Sequence, residues 1–560
     1  MKGKIIVSAI SVILVVGVVI GVVTGVHKFG TGSGSDDAET LSPQMKAISS
    51  ICAPTENKEL CIRTLSSVAP NGTSDPKELI KAAIVATLDE VQKNFHFTQT
   101  LVVNASSAPA PYKMSVEDCR DLIQFAVDQL EATLSVVGDS DIHTINDRVA
   151  DLQTWLSSVV AYQETCFDGL DDPALKSNVQ GNMLDATRLT SNALTIVAGI
   201  SNILSPFDLK LNIPNGNSRR LLAADGYPTW FSAADRKLLA KVDNRGIRPN
   251  AVVAKDGSGN FRSIQAALNA YPKNHRGRYI IYVKAGVYDE YITVTKDQTN
   301  VFLYGDGPRR TIITGHKSKV LSGYSTWQSS TFSAIGNGFL CKGVAFQNTA
   351  GYRGEQAVAL RVQSDFSAFF NCRIDGYQDT LYVQTNRQFY RNCVISGTID
   401  FIFGDSACVI QNSLIVVRKG GPNQFNTVTA QGRKEKDENT GIVIHNCRIV
   451  PEQKLFPERF RVESYLGRPW KQYAMTVVME STIGDFIRPE GYTTWGVDDT
   501  CSYFEYANSG PGARFSGRVK WRNVRLISRN EAMRFTVGWF LQGGAWLRYT
   551  GFPYMLGLRY

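Results

Sequence analysis

The chain has 560 residues, 43% of them hydrophobic, enough to fill more than one core and too many for a single domain to be expected. Its net charge of +9 hides two opposite halves: residues 1–225 hold 17 Lys and Arg against 25 Asp and Glu, whereas residues 226–560 hold 43 against 26. A basic second half suits an acidic polymer, and charge alone does not choose among nucleic acid, a membrane surface and an anionic polysaccharide. Residues 5–26, from Ile5 to Val26, carry no charge and follow Lys2 and Lys4, so residues 1–40 are expected to hold a signal anchor or signal peptide and a short spacer. Either reading sends the rest of the chain out of the cytosol. In that setting Asn71 and Asn104, each in an Asn-x-Ser/Thr triplet, become glycosylation sites, and the ten cysteines become available for disulfides. Cys52, Cys61, Cys119 and Cys166 fall in the first half, where counting alone leaves three connectivities open. No CxxC pair or His/Cys cluster has the spacing of a zinc site, so no metal is assigned.

Residues 41–210 read as helical: Cys119 to Leu130, for example, places apolar residues three and four apart. Residues 211–248 read as an exposed linker rich in Pro, Asn, Gly and Ser, in which Arg219 and Arg220 form a dibasic processing site or simply a solvated charge pair. From residue 249 to 560 the texture changes to short β-branched runs broken by Gly, Asn and Asp. Asn348, Asn371, Asn392 and Asn412 end similar short segments at intervals near twenty, and Ile444 to Ile449 repeats the unit. That period predicts a β-solenoid whose stacked coils lie about 4.8 Å apart.

Eight residues after three of these asparagines stand Gln356, Asp379 and Asp400, which predicts one polar column. Such columns also serve merely to satisfy turns in solenoids. Two carboxylates about 5 Å apart do not both ionise freely, however, so one keeps its proton and the pair becomes an acid beside a base or nucleophile. That division suits ester or glycoside cleavage, and Gln356 and Gln378 are placed to donate amide hydrogens to an oxyanion.

Gly286 to Glu290, Gln356 to Arg361, Gly376 to Tyr382, Asp400 to Gly404 and Leu466 to Trp470, in that order, resemble the plant pectin methylesterases. The resemblance implies a right-handed parallel β-helix over residues 249–560. It implies that Asp400 is the nucleophile, that Asp379 is the proton donor and acceptor, and that Gln356 and Gln378 stabilise the oxyanion. Arg468 would pair with Asp400 and orient it as the anion, while Thr326, Gln356, Arg468, Trp470, Phe403 and Trp495 would contact the sugar chain. Tyr288 and Glu290 match the family as residues of the fold. Residues 41–210 resemble the pectin methylesterase inhibitor fold, a four-helix bundle with disulfides Cys52 to Cys61 and Cys119 to Cys166, which implies a domain that inhibits or chaperones the esterase.

The implied partner is methyl-esterified homogalacturonan, with a processing protease and separate inhibitor proteins, and no nucleic acid. The implied destination is the cell wall or extracellular space, through the secretory pathway and a possible single-pass anchor. No cofactor is required by this chemistry. Chain-cleaving pectinases and a decayed wall-binding protein are the rival readings; the Asp pair with two Gln and an Arg fits ester cleavage better. One departure stands out: Ser413 occupies the place of a cysteine that members of the family often pair with Cys393, which leaves Cys393 free or open to Cys408.

Overall fold

The computed structural model describes residues 41–140, 145, 148–200 and 248–559. The apolar run Ile5 to Val26 and the linker with Arg219 and Arg220 lie outside the described residues.

The first half is helical: α1 (Pro43–Cys52), α2 (Lys58–Val68), α3 (Pro76–Asn104), α4 (Ala110–Asp139), α5 (Val149–Asp168), α6 (Pro173–Asn182) and α7 (Leu184–Ala198). Three of these helices start on the same local chemistry. Ser42, Asp75 and Asp172 each accept a hydrogen bond from a backbone N–H of the first turn, and each is followed by a proline whose missing N–H costs nothing there. Helices α3, α4, α5 and α7 pack in a closed ring of four. In α4 the apolar periodicity does its predicted work, with Leu122, Ile123, Ala126, Val127 and Leu130 all buried. Disulfides join Cys52 to Cys61 across α1 and α2, and Cys119 to Cys166 across α4 and α5. By loop-closure entropy the second, spanning 47 residues, is worth about 4 kcal/mol to the folded bundle.

The second half is a parallel β-helix of three sheets, with 11, 7 and 8 strands, in which each strand pairs in register with its equivalent in the next coil. The repeated asparagines have a backbone reason. Asn371, Asn392, Asn412 and Asn446 stand at one corner with φ between 51° and 53°, the left-handed region that Asn tolerates better than most side chains. They also form a ladder: Asn412 Nδ2 donates to Asn392 Oδ1 at 2.8 Å, and Asn446 Nδ2 to Asn412 Oδ1 at 3.0 Å. The interior is apolar and aromatic, with Phe369 and Tyr390 of adjacent coils stacked at 4.8 Å. Tyr288 is buried and its hydroxyl donates to Lys284 O, while Glu290 caps helix α8 (Ile264–Asn269) by accepting from Ile264 N and Gln265 N.

Register corrects one expectation. Phe370 pairs with Lys342, so the corner before Asn371 is occupied by Gly343, at φ 67°, and not by Asn348. Leu360 pairs with Leu381, which puts Val358 and not Gln356 beside Asp379. The coil that begins at Gly343 carries an excursion with a 3₁₀ turn at Tyr352–Gly354, so a count of eight from Asn348 met Gln356 by coincidence of loop length. At the cysteine departure, Ser413 Oγ accepts from Cys393 N at 3.0 Å. Cys393 and Cys408 are both buried free thiols.

Helix α5 lies on the seven-stranded sheet and carries most of the contact between the two halves. Ser158 Oγ donates to Asn386 Oδ1 at 2.9 Å, Trp155 Nε1 to Asp365 Oδ2 at 3.2 Å, and Asp151 pairs with the fully buried Arg387 at 2.6 Å. Arg387 also grips Asp365 at 2.7 Å, so its guanidinium is shared between the bundle and the β-helix. Taking such a charge out of water is repaid only when both carboxylates stay in place.

Candidate active site

Asp379 and Asp400 stand at turns that lead into strands Leu381–Val383 and Ile402–Gly404, and the pairing of Leu381 with Ile402 makes them equivalent residues of adjacent coils. In-register neighbours are about 4.8 Å apart along the strand-stacking direction. Both aspartates are left-handed, at φ 60° and 52°, a conformation costly enough that the surroundings must enforce it. The enforcing bonds are Asp379 N to Ile399 O at 3.0 Å and Asp400 N to Thr427 Oγ1 at 2.8 Å. Thr427 in turn donates its hydroxyl to Asp400 Oδ1 at 2.6 Å.

Arg468 follows strand Ser464–Gly467 and closes on Asp400 with two parallel bonds, Nε to Oδ1 at 2.9 Å and Nη2 to Oδ2 at 2.6 Å. This is the fork geometry that arginine makes with carboxylates. The ring of Trp495 covers the guanidinium, 3.7 Å from Cζ. Asp379 has no such partner among the described residues. Its burial, reinforced by the nearby Asp400 carboxylate and only partly offset by Arg468 and Lys319, pushes its pKa well above the usual carboxylate range. One carboxyl of the column is therefore held as an acid while its neighbour is gripped by a cation.

A cavity of about 290 Å³ opens over this pair, and every catalytic and sugar-contacting residue expected from the sequence lines it. Gln356, Gln378 and Arg468 surround the two aspartates, with Thr326, Trp470, Phe403 and Trp495 forming the walls. Gln356 arrives from the excursion and not from the column, and its buried Oε1 has no hydrogen-bond partner among the described residues. Phe403 stacks on Tyr382 at 4.3 Å and meets Trp470 edge-on at 6.0 Å. Counting by repeats missed Thr427, because it lies one coil on from Asp400 but 27 residues away. It also missed Tyr382, which the same interval of 21 that relates Asp379 to Asp400 places beside Phe403, and Lys319, for which periodicity offers no signal.

The helical half closes the top of the cavity. Asp118, Thr165, Asp168 and Asp171 line it together with the β-helix residues. Thr165 Oγ1 meets Tyr382 Oη at 3.1 Å, and Asp118 accepts from Ser325 Oγ and from Gln328 Nε2. Burial raises the Asp118 pKa from 3.8 to about 6, against the opposing effects of Ser325, Gln328 and Arg361. Asp168, beside Lys471 and Glu164, and Glu435, beside Ser191, are raised for the same first cause. The sign for Asp118, whose bonds to Ser325 and Gln328 cross the interface, follows from linkage: this carboxyl binds its proton more tightly docked than free, so its contribution to docking is strongest below the free value and is lost as pH rises through the docked one. For a chain cut in the linker, the dissociation constant between the halves should rise from pH 4 to pH 6.5, by up to about 100-fold from Asp118 alone. Asp118→Asn should remove that component, and a pH-independent constant in the unaltered chain would contradict it.

A family model described as Pectinesterase matches residues 250–544, and one described as Plant invertase/pectin methylesterase inhibitor matches residues 46–196. The chain is 43% identical to Pectinesterase 4 of Arabidopsis thaliana, with 100% of both chains covered. It is 42% identical to a pectinesterase/pectinesterase inhibitor of Brassica campestris, covering 98% of this chain and 100% of that one. Among solved structures it resembles a pectin methylesterase from carrot with 48% identity and a TM-score of 0.56, over 56% of this chain and 100% of that one.

Proposed function

The chain belongs to the pectinesterase family of carboxylic ester hydrolases and carries an inhibitor-like N-terminal domain; from that premise we propose that it hydrolyses the methyl esters of homogalacturonan, releasing methanol and pectate. The observation that carries this reading is the in-register pair of Asp400, bound two-pronged by Arg468, and Asp379, whose pKa is driven up beside it.

Asp400 attacks the ester carbonyl carbon, and the carbonyl oxygen becomes an oxyanion that accepts amide hydrogens from Gln356 and Gln378. Collapse of that intermediate breaks the bond to the methoxy oxygen, which takes the proton of Asp379 and leaves as methanol. Asp379, now anionic, removes a proton from water, and the resulting hydroxide attacks the acyl carbon. The second intermediate expels Asp400 as its carboxylate and leaves a galacturonic acid that gives its proton to solvent, while Asp379 keeps the proton it took from water and the site is reset. Arg468 holds Asp400 in line throughout. Trp470, Phe403 and Trp495 offer apolar faces to the sugar rings, and Thr326 a hydroxyl.

Residues 41–210 act as an inhibitor in cis or as a folding aid, residues 211–248 as a linker cut at Arg219 or Arg220 by a processing protease, and residues 249–560 as the esterase. Asn71 and Asn104 are exposed, as glycosylation acceptors of an exported protein must be. Among the described residues no helix is long and apolar enough to cross a membrane; the segment expected to act as anchor or signal is Ile5 to Val26. Delivery to the cell wall, where separate inhibitor proteins would also meet the enzyme, follows from the substrate. The test is methanol release from esterified pectin by the chain cut in its linker. New reducing ends or unsaturated products in place of methanol would overturn the reading in favour of chain cleavage.

A further inference from the structure

Among the described residues four lysines of the β-helix half pair with carboxylates of the helical half, Lys296 with Asp128, Lys436 with Glu56, and two that lie beside the reacting pair, Lys319 and Lys471. Lys319 Nζ lies 2.7 Å from Asp171, and Lys471 Nζ lies 2.9 Å from Glu164 and 2.8 Å from Asp168. Among the described residues the β-helix offers neither Lys319 nor Lys471 an acidic partner of its own. Lys319 sits in the groove, and Lys471 lines the cavity next to it. Lys319 opens the short helix α9 (Lys319–Ser322), its N–H donates to Gln356 O at 2.9 Å, and it lines the same cavity as the aspartates. Lys471 adjoins Trp470 on the other wall, with its ammonium 5.4 Å from that ring.

They also lie on opposite sides of the reacting pair. In the seven-stranded sheet the strands that follow Asp379 and Asp400 are central, strand Phe332–Ala334, which follows Lys319, lies towards one end, and strand Ser464–Gly467, which precedes Lys471, forms the other. Once the helical half leaves, two ammonium groups flank the aspartates without an ion-pair partner among the described residues. A methyl-esterified galacturonate is neutral and offers them little, whereas a free galacturonate offers the carboxylate that Asp171, Glu164 and Asp168 now supply.

Resting on the function proposed above, we infer that Lys319 and Lys471 are carboxylate-reading positions, which seat free galacturonates on either side of the ester being cleaved and are occupied in the full chain by the helical half's own carboxylates. The esterase thereby favours polymer that is already partly de-esterified, and the helical half excludes substrate by presenting the charge pattern of its product.

The test compares KM for pectin of high and of low methyl-ester content, using the chain cut in its linker. Lys319→Gln and Lys471→Gln should each lower the preference for low-ester pectin, read as the ratio of the two KM values, by about tenfold, and Lys319→Arg should restore it. Asp171→Asn removes the stand-in but leaves the lysine, and should leave the ratio where it was. A ratio unchanged in both glutamine variants would overturn the inference and leave the lysines as docking contacts only. If the unaltered chain releases no methanol, the function fails separately, and calorimetric binding of non-esterified oligogalacturonate decides the lysines: a tenfold loss in Lys319→Gln supports the inference, and equal affinity overturns it.

Discussion

Replacing Asp400 by Asn is expected to abolish methanol release, by about 10⁴-fold or more, because it removes the one carboxylate oxygen pair placed to attack while leaving a side chain of the same shape. The fold should tolerate the change. Thr427 can still donate to the amide oxygen and Arg468 still has one acceptor, although the lost charge leaves the guanidinium, 15% exposed, without its counter-ion. A modest loss of stability, on the order of 1–3 kcal/mol, is therefore expected alongside the loss of turnover. The measurement is paired: methanol release for turnover, and thermal unfolding with pectin binding for integrity. Substantial residual activity in a folded variant would remove Asp400 from the role of nucleophile.

The second large effect is expected on separating the two halves. Asp379 and Asp400 are only 8% and 4% exposed beneath α5, and a polymer cannot reach them past a helix bonded to Tyr382, Lys471, Asn386 and Arg387. Turnover then depends on the fraction of molecules in which α5 has left its seat. If docking in cis is favoured by about 3 kcal/mol or more, cutting the linker and removing the helical half should raise activity by about 100-fold or more. The Arg387 centre offers a graded version. Asp151→Ala leaves that buried guanidinium with Asp365 but without its second carboxylate, so the uncut chain should become partly active. Equal activity before and after removal of the helical half would discard inhibition in cis and leave assistance in folding as its role.

Much of this was legible from the sequence, and the reasons differ from element to element. The period near twenty announced a solenoid because each coil must reverse at a corner where only a few side chains accept a positive φ, and Asn recurs at four of those corners. The spacing of Asp379 and Asp400 was legible for the same reason, since no extra residues intervene between their coils. Gln356 belongs to the cavity but not to the column, because the preceding coil carries an excursion that counting cannot detect. Thr427 was hidden by the opposite circumstance, an unusually long coil after Asp400. The charge imbalance between the halves foretold their attraction, but which carboxylate meets which lysine depends on the pose of α5 across the groove. The linker that would be cut lies outside the described residues.

The placement of the sulfur atoms divides the molecule in a further way. Both disulfides belong to the helical half, one of them stapling α5, the helix that covers the aspartates, to α4; the six cysteines of the β-helix are buried thiols. Of the two halves, only the cover is thus stiffened by an oxidised bond, whereas the esterase keeps its shape through stacked coils alone. A reducing environment would soften the lid and spare the machinery beneath it, so the full chain is tied to the redox state of its surroundings in a way that the processed enzyme is not.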